Sequence, residues 1–264
     1  MTDRIRIFIG CAGNDEDLEF QSVLEYCLQR QASKPLEIIW MRLSRDPASF
    51  WFADPQRRLG WNTQGWATPF SALRWGIPAA CNFQGRAIYL DIDMLPLADI
   101  AELWDQPMNG AAMLSKPEAI CVTVYDCERM QKILPDIDKI KHLRGFYRQV
   151  RDNVRKAPGA IKRYAGDWNC LDMRRIPGEG EYASVSDPEI KLLHFTRIPT
   201  QPHLRYAIPR LAAQGKRHWY AGAASPHPRK DAAALFDQRM AEANKAGFWP
   251  EAYKTETPFG DYGR

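Results

Sequence analysis

"AIYLDIDMLPLADI", residues 87–100, decides how this chain is read. A buried-looking apolar run delivers two aspartates, Asp91 and Asp93, one residue apart, and then turns into a helix-starting pattern. In open α/β sheets, ligands gather beyond the carboxyl ends of the strands, which is where this run would place both side chains. Unpaired carboxylates so close repel, and one tends to take up a proton. A hard divalent cation such as Mg²⁺ or Mn²⁺ reverses that logic, because it stabilises both as anions and holds phosphates at its remaining positions. A metal–phosphate corner is the sharp reading, and an Asp in a turn beside an Asp capping the next helix is the bland one.

Outward from this block, strand and helix signals alternate. "RIRIFIG" (4–10) reads as a first strand. "EDLEFQSVLEYCLQR" (16–30) has Leu18, Val23, Leu24, Cys27 and Leu28 at helical intervals after a cap-like "GND", and "LEIIWMRL" (36–43) is a second strand. Strand, helix, strand implies a right-handed crossover and a mainly parallel sheet flanked by helices. Residues 44–66 break the rhythm with Pro47, Pro55, Gly60 and Gly65 among Trp51, Phe52, Trp61 and Trp66, as binding loops often do. "TPFSALRWGIPAAC" (68–81) reads as a helix with Thr68 as N-cap and Pro69 at its first position. "AICVTVYD" (119–126) and "KLLHF" (191–195) are further strands, and helices are expected near 128–134, 204–213 and 230–245. The last residues, "TETPFGDYGR", are expected to fray.

At 264 residues the chain is long enough for one large domain, taken as 1–264, with the region from about 215 as a helical extension. The six cysteines, Cys11, Cys27, Cys81, Cys121, Cys127 and Cys170, show no C-x-x-C spacing, which suggests reduced thiols and a cytoplasmic protein. No stretch approaches the ~20 apolar residues of a membrane span. Much of the formal charge of +4 sits in residues 139–163, which read as a solvated helix face or a peripheral contact with anionic lipid. Nucleic acid is not expected, because no binding motif accompanies the charge.

Two enzyme classes end a hydrophobic strand in D-x-D. The block resembles the haloacid dehalogenase type of phosphatase, which implies Asp91 as nucleophile and Asp93 as acid/base, and "GDWNCLD" (166–172) mimics that class's acidic segment. Against this, two strand units precede the aspartates, and Met94 stands where that class has Thr or Val. No lysine is assigned to balance the phosphate charge.

With its flanks, residues 74–104 resemble more closely glycosyltransferase family 8 and relatives of the GT-A fold. That family has an Arg-x-x-x-Pro helix, here Arg74–Pro78, then a Y-L-D-x-D strand end, Tyr89–Asp93, then an Asp-Ile-x-x-Leu helix, Asp99, Ile100 and Leu103. "GDWNCLD" stands in place of the family's acidic D-Q-D-x-L-N segment, and "LLHFTRIPTQPH" (192–203) in place of its late H-F-x-G-x-x-K-P-W.

The resemblance implies a GT-A-like α/β fold and a metal-dependent, retaining glycosyltransferase. The donor would be a nucleotide diphosphate sugar, and the acceptor a glycan, a lipid-linked hydroxyl or another hydroxyl, as in polysaccharide biosynthesis. It further implies that Asp91, Asp93 and His194 hold Mn²⁺ or Mg²⁺, with His194 favouring Mn²⁺. Cys11, Ala12, Gly13 and Asn14 would lie near base and ribose, and Arg74, with the Asp91–Ile92–Asp93 segment, near the diphosphate. Asp167, Asn169 and Asp172 would meet the donor sugar or the developing positive charge. The late segment lacks the family's lysine, whose phosphate contact would pass to Arg197, Gln201 or His203. A nucleotidyltransferase of similar fold and a non-catalytic nucleotide or sugar binder are the remaining alternatives.

Overall fold

The computed structural model describes residues 4–176, 178 and 181–263. Its centre is a six-stranded mixed sheet in the order β2-β1-β5-β8-β7-β9. These strands are β1 (Ile5–Gly10), β2 (Leu36–Met41), β5 (Arg86–Asp91), β7 (Met113–Lys116), β8 (Ala119–Asp126) and β9 (Ile161–Lys162). β1 runs parallel to both β2 and β5, β7 runs parallel to β9, and β8 runs antiparallel to β5 and β7. The expected crossover is formed by α1 (Leu18–Gln31) between β1 and β2. Ile5, Ile7, Ile9, Ile88 and Leu90 on one face and Phe8 and Tyr89 on the other are buried, as strands covered on both faces require.

A smaller sheet stands beside the first: β10 (Cys170–Leu171), β11 (Leu192–His194) and β6 (Met94–Pro96), in that order. Asp91 closes β5 in the large sheet, and Met94 opens β6 in the small one. The two aspartates therefore sit where the chain passes from one sheet to the other. The register sets Met94 against His194, and Leu171 against His194 on the other side, so the small sheet carries the histidine and the acidic segment to the same corner.

In the long aromatic segment, β3 (Ala53–Asp54) and β4 (Leu59–Gly60) form a small hairpin. Trp61, Trp66 and Trp75 are buried, and Trp51 stacks on Trp61 with centroids 5.9 Å apart, so these rings pack the core. Residues 68–81 differ from the single helix expected. They form turns, a 3₁₀ segment at Leu73–Gly76 and the short α2 (Ile77–Ala80), with Thr68 bonded to the Ser71 hydroxyl. Pro78 and Gly76 interrupt what the apolar spacing alone would continue.

The remaining helices are α3 (Ala101–Trp104), α4 (Cys127–Gln131), α5 (Ile137–His142), α6 (Phe146–Lys156), α7 (Leu204–Ala213) and α8 (Lys230–Lys245). The basic stretch is thus two helices, α5 and α6. Val150 and Val154 are its inward face, and Arg148 and Arg155 reach backbone carbonyls of Gly65 and Glu118. Phe236 of α8 packs edge-on against Phe20 and Phe195, which joins the C-terminal region to the main core. Among the described residues no helix is long and apolar enough to cross a membrane.

The chain end corrects an expectation. Phe259 and Tyr262 are buried and stacked on one another at 5.4 Å, and the tail lies against the loop that follows β1. A Cβ at Gly13 would approach Phe259 Cβ to 3.0 Å, so this glycine lets the tail pack close to the loop.

Candidate functional site

Asp91 is 8% exposed, and its Oδ1 accepts from Arg74 Nη2 at 2.8 Å and from the Tyr89 hydroxyl. Arg74 also donates to the Ser71 and Ile120 carbonyls and lies over the Tyr89 ring. Its whole fork is thus engaged in fixing Asp91 and the start of β8. Cys121, partly buried on β8, has its sulfur within 4.8 Å of an Asp91 carboxylate oxygen.

Asp93 faces the other way along the same corner. Its Oδ1 is 3.2 Å from His194 Nε2, and its Oδ2 accepts from Gln201 Nε2 at 2.6 Å. His194 is buried, and its Nδ1 is bonded to Asn169 Oδ1 at 2.8 Å. Burial alone would depress the His194 pKa, but Asp93, Asp91 and Asp172 outweigh it and hold the imidazole above its ordinary value. A second group orienting a histidine from its far nitrogen is the usual companion of metal ligation.

Asp91, Cys121 and His194 offer ligand atoms that all lie within 4.8 Å of one another, with Asp93 at His194. Two carboxylates, an imidazole and a thiol form a donor set that suits a divalent cation. A second grouping, Asp17, His203 and His218, is buried behind it. There the Tyr220 amide donates to His218 Nδ1 at 3.0 Å, which places that ring's proton on Nε2 and opposes ligation through it.

The acidic segment divides in two. Asp167 accepts from Lys116 Nζ at 2.8 Å and from Arg174 Nη1 at 2.5 Å, beside a cavity of about 320 Å³ lined by Lys116, Glu118, Asn169, Arg174 and Thr196 among others. Asp172 has no solvent exposure. Its Oδ2 is 2.9 Å from His227 Nε2, its Oδ1 accepts from the Thr196 hydroxyl, and its backbone carbonyl accepts from Arg229. Burial pushes the Asp172 carboxyl upward, yet His227 and Thr196 outweigh it and hold it below the usual carboxylate range. This residue clamps the small sheet to the segment before α8 and presents no face to a ligand here.

The loop after β1 is closed from behind. Cys11 and Ala12 are buried, the Gly13 amide donates to the Tyr262 hydroxyl at 2.7 Å, and Asn14 exchanges bonds with both backbone groups of Gly260. The Asp17 side chain turns back to accept from the Ala12 amide at 2.7 Å and makes no cap bond to α1. Asn14, Glu16, Trp219 and Tyr262 border a cavity of about 270 Å³.

The structure therefore brings Asp91, Ile92, Asp93, His194, Asn169, Gln201 and Arg74 to one corner, with Asp167 close by through Lys116, which also binds the Asn169 carbonyl. Sequence reading missed Lys116 and Cys121. Neither carried a usable signal, because β6, α3 and β7 separate "AICVTVYD" from the aspartate strand and only the sheet order sets Cys121 across from Asp91.

No family model matches the sequence, and no curated protein matches it. Among solved structures, the chain is similar to the galactosyltransferase LgtC in complex with donor and acceptor sugar analogues, with a TM-score of 0.53 at 10% identity, over 90% of this chain and 96% of that one. An active-site mutant of LgtC matches with a TM-score of 0.55 at 11% identity, over the same shares. At such low identity the likeness speaks for architecture, and the architecture is that of the GT-A glycosyltransferases.

Proposed function

We propose that this protein is a metal-dependent, retaining glycosyltransferase that moves a sugar from a nucleotide diphosphate sugar to a hydroxyl acceptor. The observation that carries the reading is the meeting of Asp91, Asp93 and His194 at one corner of a GT-A fold, where the strand ends β5 and β11 converge. These three residues would hold the ion, Mn²⁺ in preference to Mg²⁺ because of the imidazole. When bound, a divalent cation neutralises the charge that builds on the departing nucleoside diphosphate. Asn169 and Gln201 fix the orientation of His194 and Asp93, and Arg74 does the same for Asp91. Lys116 and Arg174 supply positive charge around Asp167 in the neighbouring cavity, which suits the donor sugar and its phosphates. Cys11 to Asn14 would border the nucleotide base and ribose.

A cavity of about 610 Å³ shares Gln201 with this corner and combines Leu204, Ile208 and Pro209 with Arg205 and Lys230. That lining fits an acceptor with an apolar portion and an anionic group, as a lipid-linked glycan has. The exposed basic residues of α5 and α6 and the exposed Leu143 would then face an anionic membrane surface. The six cysteines, none in a disulfide, agree with a cytoplasmic site of action.

The test is thermal-shift screening of nucleotide sugars with and without Mn²⁺, since a ligand that binds only the folded state raises its melting temperature. Asp93→Ala is expected to abolish the metal-dependent part of the shift, and an undiminished shift overturns the assignment. A second reading, nucleotide-sugar binding without turnover, is favoured by the Arg74–Asp91 ion pair, which occupies one Asp91 oxygen. It is marked by donor binding with no release of nucleoside diphosphate. Release of inorganic phosphate or pyrophosphate would instead mark the phosphatase or nucleotidyltransferase alternatives.

A further inference from the structure

Two carboxylates and a histidine account for the cation site as proposed, but they leave one donor atom unexplained. Cys121 lies one step beyond the Leu90–Val122 pair of the antiparallel β5–β8 ladder, which sets it across from Asp91. Its sulfur is within 4.8 Å of ligand atoms of both Asp91 and His194. The neighbourhood is built to hold it there. The Ile120 carbonyl accepts from Arg74 at 2.8 Å, and the Ala119 carbonyl accepts from Asn169, the residue that orients His194. Among the six cysteines this one alone is only partly buried, and the other five are buried.

We propose that Cys121 is a further ligand of the divalent ion at this corner and that its sulfur biases the site toward thiophilic ions, Co²⁺, Zn²⁺ and Cd²⁺, over Mg²⁺ and Mn²⁺. The inference rests on the reading that a cation sits between Asp91, Asp93 and His194. A thiol that coordinates a dication is deprotonated outright. The S–H bond breaks, an S–metal bond forms, and one proton passes to the buffer. Soft thiolate donors select such ions, whereas oxygen-only sites suit Mg²⁺ and Mn²⁺.

The experiment is a titration of the full chain with Co²⁺, followed by absorption spectroscopy, with Cys121→Ser and Cys81→Ser alongside. Wild type and Cys81→Ser are expected to show a thiolate-to-cobalt charge-transfer band that Cys121→Ser lacks. Competition titrations should show Cys121→Ser losing roughly 10–100-fold in Cd²⁺ affinity, the scale on which groups supporting a metal matter, and much less in Mn²⁺ affinity. Cadmium-edge X-ray absorption on the unaltered protein, which should report one sulfur neighbour, needs no variant and covers the case in which Cys121→Ser does not fold. Asp93-dependent Co²⁺ binding without the band, or a band that survives Cys121→Ser, overturns the role of Cys121 and leaves the donor site standing. Failure to bind Mn²⁺ or Co²⁺ at all, even with uridine diphosphate present, removes the cation site itself and this inference with it.

Discussion

Gln201 and Asp93 are 108 residues apart in sequence, yet the Gln201 amide donates to Asp93 Oδ2 at 2.6 Å and to the Phe195 carbonyl at 2.7 Å. An amide nitrogen that donates to both groups prevents the carboxylate from rotating, so Oδ1 stays turned toward His194 Nε2.

Gln201→Ala is therefore expected to weaken Mn²⁺ binding by roughly 10–100-fold, as loss of an outer-shell partner does, with little change in fold. Isothermal titration calorimetry measures this directly. An unchanged affinity would show that Asp93 needs no such support.

Arg74 and Asp91 form a nearly buried ion pair, with side chains 14% and 11% exposed. Removing one partner of such a pair strands the other charge, so Arg74→Ala is expected to cost about 3–5 kcal/mol of stability. Arg74→Lys should recover only part, because an ammonium cannot serve Asp91, Ser71 and Ile120 together. Urea unfolding midpoints check both.

Asp167 and Asp172, similar on paper, separate by burial. Asp167→Ala leaves two partly solvated cations, so it should lower kcat/KM by roughly 10²-fold through lost electrostatic positioning while the melting temperature moves little. Asp172→Ala should instead cost about 1–3 kcal/mol for each buried group left unpaired, His227 and Thr196 first. A kinetic defect in Asp172→Ala at unchanged stability would reverse the assignment.

Burial, with Glu16, Asp93 and Glu19 nearby, pushes the Asp17 carboxyl up to about 7 against the pull of the Ala12 amide. The facing His203 is kept neutral, since burial holds its pKa well below the ordinary value. The folded state thus binds this proton more tightly than the unfolded one does, where the carboxyl titrates near about 3.9. Stability from this group is present at low pH and is lost as pH rises from about 4 through about 7. Asp17→Asn keeps an acceptor for the Ala12 amide and removes the titration. Its melting temperature relative to wild type should climb across that window, and a constant difference would refute the shift.

Elements with an internal period were legible in the sequence: β1, α1, β5, α7 and α8 lie where their apolar spacing puts them. Asp91, Asp93 and His194 were legible through a motif and its position at strand ends. What supports them was not, because the bonds Asn169–His194, Gln201–Asp93 and Lys116–Asp167 join residues 25, 108 and 51 apart with no pattern linking them. Residues 68–81 misled because apolar spacing does not register how Gly76 and Pro78 divide a helix. The tail misled for the opposite reason. A stretch rich in Gly and Pro reads as frayed, and two aromatics in it find a seat against Gly13, far upstream, which leaves them room.

That seat has a consequence in time. Tyr262 bonds to Gly13, Gly260 to Asn14, and the Thr255 amide to Asp15, across spans of 249, 246 and 240 residues. Ribosomal synthesis reaches β1 long before these partners, so that strand waits, with its outgoing turn unsealed, until residues 255–262 have emerged. A nascent or prematurely terminated chain ending before Thr255 has nothing with which to latch that turn.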